Sequence, residues 1–90
     1  MEKQEEQLIT QGDEAELLLK NSAFDNLINN LVEGSFQTFV GTKPNDYEDR
    51  EDAYNRYRAL VDIVQTLRQR VAVRDEIQAK NSDNNSSEEE

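Results

Sequence analysis

The chain contains no cysteine, no histidine and no tryptophan, and only one proline and three glycines. Without cysteine there is no disulfide, no thiolate metal site and no sign of an oxidising compartment. Without histidine the side chain best suited to proton transfer near neutral pH is missing, and no glycine-rich phosphate loop is present. General acid or base work would fall to carboxylates, which cluster at helix starts and chain ends where water keeps them ordinary. The acidic set Asp46, Glu48, Asp49, Glu51 and Asp52 lacks the spacing and the glycine of a calcium loop. These residues therefore point to a protein that is not an enzyme, with no cofactor, no metal site and no small-molecule substrate.

Long hydrophobic runs are also absent, as is an apolar segment near Met1-Glu2-Lys3-Gln4-Glu5-Glu6, so no membrane span or secretion signal is expected. Apolar residues make up 34% of the 90 and charged residues 33%, which leaves material for one thin core. The net charge of −10 opposes unaided binding to nucleic acid or to an anionic membrane. That charge is unevenly spread. Residues 1–16 set six carboxylates against Lys3, and residues 81–90 hold four more, whereas residues 53–74 carry five arginines against Asp62 alone.

The pattern along the chain predicts an all-α fold: an antiparallel helical hairpin with a short preceding helix and disordered acidic N- and C-terminal tails. Residues 1–12 have little apolar surface beyond Leu8 and Ile9 and read as a flexible arm. Gly12 punctuates, and Asp13 is placed to cap a short helix over 13–20 carrying Leu17-Leu18-Leu19. Ser22 and Asp25 have capping-box spacing and open a helix over 23–40. In it Phe24, Leu27, Ile28, Leu31, Val32, Phe36, Phe39 and Val40 repeat with helical period. Gly41 is suited to a left-handed end, and Pro44 in Thr42-Lys43-Pro44-Asn45-Asp46 forces a turn back. Asp46 is placed to cap a third helix over 47–80, whose row Ala53, Tyr57, Leu60, Val64, Leu67, Val71 alternates steps of four and three, the seam of a helix made to meet another. The helical domain thus covers 13–80, and residues 81–90, with no apolar side chain, read as a disordered tail.

A second helix of about 18 residues is too short to cover a third of about 34. Apolar surface around Leu67, Val71 and Ile77 should then stay open to a protein partner or a second copy. Tyr57, Leu60 and Val64 continue this binding row. Arg68, Arg70 and Arg74 beside it either lay their stems over the seam and pair with acids such as Asp25 and Glu33, or select an acidic partner. The aromatics fit packing at the closed end of the hairpin, with Tyr47 and Tyr54 available as an interface rim.

Leu18-Leu19-Lys20-Asn21-Ser22-Ala23-Phe24 opening a helix, the Thr42–Asp46 loop, Arg50-Glu51-Asp52-Ala53-Tyr54 and Arg58-Ala59-Leu60 in the long arm together resemble small helical-hairpin proteins encoded among the virion-assembly genes of tailed bacteriophages. The resemblance spans Leu17 to Ile77. It differs in having Phe36 and Phe39 where a tryptophan is expected. It implies a structural or head-assembly protein that binds capsid, portal or scaffold subunits, located in the virion or the host cytoplasm. Two other readings are an acidic nucleic-acid-mimicking inhibitor of a host DNA-binding protein, favoured by the charge, and a nucleic-acid-contacting assembly factor using the arginines.

Overall fold

The computed structural model describes the backbone of residues 2–89 and the side chains of residues 2–82. It consists of three helices, α1 (Lys3–Lys20), α2 (Ser22–Val40) and α3 (Tyr47–Glu89), with no strand among the described residues. The molecule measures 67 × 24 × 21 Å, and α3 runs its length as a spine. Both shorter helices pack mainly on α3 and only slightly on each other. Residue numbers rise together where α1 meets α3, with Leu8 and Gln11 beside Thr66, Gln69, Arg70 and Val73, and Gly12 against Arg70 and Arg74. They run oppositely where α2 meets α3, with Phe36 and Phe39 beside Tyr54 and Tyr57.

Residues 3–12 of the expected arm are instead the first half of α1. Its order comes from docking. Leu8, Gly12, Ala15 and Leu19, spaced four, three and four, form a narrow face toward α3 on which Gly12 and Ala15 are buried and Leu8 and Leu19 half-buried. Gly12 is therefore a packing position, not a boundary. An added Cβ would stand 2.4 Å from Arg74 Cβ and 2.9 Å from the Arg70 carbonyl oxygen, so a hydrogen here allows close approach of the two backbones.

The helix ends also differ from expectation. Asn21, not Ser22, caps α2, its Oδ1 accepting from the Phe24 N–H at 2.9 Å. Asp25 instead accepts from Asn29. Gly41 is right-handed (φ −78°, ψ −5°), because the chain closes through bonds from Gly41 N to Gln37 O and from Thr42 N and Oγ1 to Phe39 O. Asp46 does not cap the first turn of α3 with its side chain. Its carboxylate reaches back to accept from Lys43 N at 3.1 Å, while its carbonyl accepts from Arg50 N. Arg50 fastens the connection further, donating to Thr42 Oγ1 at 3.2 Å and to the Lys43 carbonyl at 2.6 Å.

Burial follows the expected row on α3. Ala53 and Leu67 are buried, with Tyr57, Leu60, Val64 and Val71 half-buried between and beyond them. The core is thin: among the described residues no large side chain is fully buried. The backbone of residues 81–89, expected as a disordered tail, instead continues α3, and only Glu90 of that tail lies outside the described residues.

Candidate protein-binding surface

Each residue of the expected binding row sits on α3, but α1 changes what they offer. Leu67 is buried, Val71 and Ile77 are half-buried, and the far half of the seam is shielded by the chain's own first helix. The expectation of an open distal seam is thereby corrected. The cover comes from the length of α1, which has 18 residues and not only the short stretch expected over 13–20.

The three arginines separate. Arg74 is only 8% exposed, and its guanidinium donates to Asp13 Oδ1 and Glu16 Oε2, both at 2.9 Å, and to Asp75 Oδ1 at 2.9 and 3.1 Å. Its partners are thus the acids of α1 and its own neighbour, not Asp25 or Glu33 of α2, and it cannot also present charge to another molecule. Hydrogen bonding to Arg74, reinforced by its charge and that of Lys20, holds the Glu16 carboxyl below its ordinary 4.5. The hydrogen bonds that Arg74 donates to Glu16, Asp75 and Asp13 push its own pKa higher still, so it stays charged. Arg68 and Arg70 remain exposed, with Arg70 on the rim of a hollow of about 200 Å³ between α1 and α3.

A largely apolar open surface lies at the other end of the molecule. Phe36 and Phe39 of α2 and Tyr54 and Tyr57 of α3 line a hollow of about 190 Å³, almost free of polar atoms. Within it the Phe39 and Tyr54 ring centres lie 6.3 Å apart with a 49° tilt, an aromatic pair that joins α2 to α3. Phe36 and Tyr54 are about half exposed, and Val40 more so. Tyr47, 71% exposed, stands nearby in sequence with the Arg50 guanidinium 5.7 Å from its ring centre. Tyr47 and Tyr54, expected to be available as an interface rim, are both exposed. The exposure of Phe36 was not legible, because its helical spacing places it within the apolar stripe and gives no hint that α3 reaches only part of that stripe.

Among the described residues no group of three or more Asp or Glu side chains is placed to hold a metal ion, and no helix is long and apolar enough to cross a membrane. No family model, no curated protein and no solved structure matches the chain.

Proposed function

We propose that this is a non-enzymatic bacteriophage structural or head-assembly protein, an antiparallel α2–α3 hairpin braced by α1, that binds a capsid, portal or scaffold subunit. The binding surface moves from the far end of α3 to the flank where the hairpin is joined. The observation that carries this reading is the open aromatic hollow of Phe36, Phe39, Tyr54 and Tyr57. Half-exposed aromatic rings around an apolar depression are the residues that anchor protein interfaces, since they bury large area with few torsions to freeze. The connection beside it is held by Arg50, so the receiving surface is ordered before a partner arrives. Several residues behind the resemblance, Thr42 to Asp46 and Arg50 to Tyr54, belong to this same end of the molecule.

Phe36→Asp places a charge in the hollow without touching the α1–α3 contact. The variant is expected to keep its far-ultraviolet circular dichroism and to lose incorporation into purified particles, or co-purification with their subunits, by at least tenfold, the cost of a burial defect of about 1.4 kcal/mol or more. Equal incorporation of Phe36→Asp and the parent chain would overturn the assignment of the surface. Absence of the parent chain from particles and from all their assembly intermediates would overturn the assembly role.

A further inference from the structure

The junction between α1 and α2 is one residue long, and it is already half helical. Asn21 has φ −78° and ψ 117°, so a rotation of about 160° in this single ψ would reach helical geometry. The flanking Leu18-Leu19-Lys20 and Ser22-Ala23-Phe24 contain neither proline nor glycine to oppose continuation. A straightened segment would run unbroken from Lys3 to Val40.

Straightening has a geometric consequence. At about 100° per residue, the α1 face that docks on α3 (Leu8, Gly12, Ala15, Leu19) and the α2 face that docks on α3 (Phe24, Ile28, Ser35, Phe39) lie on opposite sides of a continuous helix, about 180° apart. One α3 cannot receive both. The bend at Asn21 is what turns both faces onto the same spine. The straight form also aligns Leu17, Asn21, Phe24, Ile28 and Leu31 in steps of four, three, four and three. This gathers Leu17, now 72% exposed, into a row with the α2 face and sets a polar asparagine within it, a placement known to fix register and partner number in helix pairs.

We infer that α1 is an exchangeable element: in a dimer the Lys3–Val40 segment straightens, and each copy's α1 docks on the α3 of the other. The recipient surface is the one seen within a single chain, with Arg74 of one copy receiving Asp13 and Glu16 of the other and Gly12 seated against the same turn. The arrangement is two-fold symmetric and re-forms the α1–α3 contacts in trans, the low-cost route to a dimer. What the bend contributes in exchange for keeping the chain closed is the Asn21 cap on Phe24. This inference stands apart from the aromatic hollow and does not need it.

A charge-swap pair tests it. Arg74→Glu and the double variant Asp13→Arg/Glu16→Arg each place like charges together within one chain. In an exchanged dimer of the two, both contacts regain opposite charges. The mixture is expected to sediment as a 1:1 dimer and to gain helicity over either variant alone, even if each is poorly folded by itself. A mixture that behaves as the sum of its components overturns the inference. In parallel, Asn21→Leu removes the cap and fills the row, and is expected to tighten self-association of the full chain by roughly tenfold or more. Asn21→Leu that stays monomeric at concentrations where the parent does is equally contrary.

Discussion

Gly12 and Arg74 decide the far half of the molecule. The glycine lets α1 approach until Arg74 lies between the helices, and the arginine then gathers Asp13, Glu16 and Asp75 around one guanidinium. An alanine at Gly12 must displace the Arg70 backbone, so Gly12→Ala is expected to destabilise the fold by about 1–3 kcal/mol despite alanine's better helix propensity. Gly34 has no atom within 4 Å of an added Cβ, so Gly34→Ala is expected to stabilise by about 0.5–1 kcal/mol. Urea melts of the two variants should move in opposite directions. Glu16 adds a pH dependence of known sign. Because its carboxyl titrates lower in the folded chain than in the unfolded one, its contribution is complete above the ordinary 4.5 and is lost as pH falls through that value to the lowered one. Glu16→Gln is expected to flatten the acid side of the stability profile below about pH 5 and to leave its shape at higher pH unchanged.

At the scale of elements, the helical class and the apolar row of α3 were readable from the chain, since Ala53 to Val71 keep their steps and their burial, whereas Leu27, Leu31, Phe36 and Val40 of the α2 row stay exposed. The first helix was not fully legible. Leu8, Gly12, Ala15 and Leu19 do carry the spacing of a docking face, but only two of them are large and apolar, and composition alone reads such a segment as too polar to fold. Its order resides in α3, in a carbonyl and an arginine some sixty residues away. The helix ends were missed for a different reason: Asn21 and Asp46 take partners three residues away and Arg50 reaches seven and eight residues back, choices among local groups that depend on the exact path of the chain. Deleting residues 2–20 is therefore expected to cost more helicity than the 18 residues of α1 contribute, because the stretch of α3 around Leu67, Val71 and Ile77 loses its cover. Circular dichroism per molecule reads this directly, and a loss limited to the deleted residues would mean that α3 stands without α1.

The whole molecule is a spine with two short helices along it, shielded at one end by its own first helix and open at the other around a set of aromatic rings. The apolar row on the long helix was legible from its spacing, and its cover by α1 was not. The central claim is that α1 docks on α3 as one cooperative unit. Residue-resolved hydrogen exchange of the intact protein measures it. Amides from Leu8 to Leu19 are expected to be protected to the same degree as those from Leu67 to Ile77, and Gly12→Val is expected to release both sets together. Amides of α1 that exchange at the rate of an unstructured chain, beside a protected Leu67–Ile77 stretch, would contradict it.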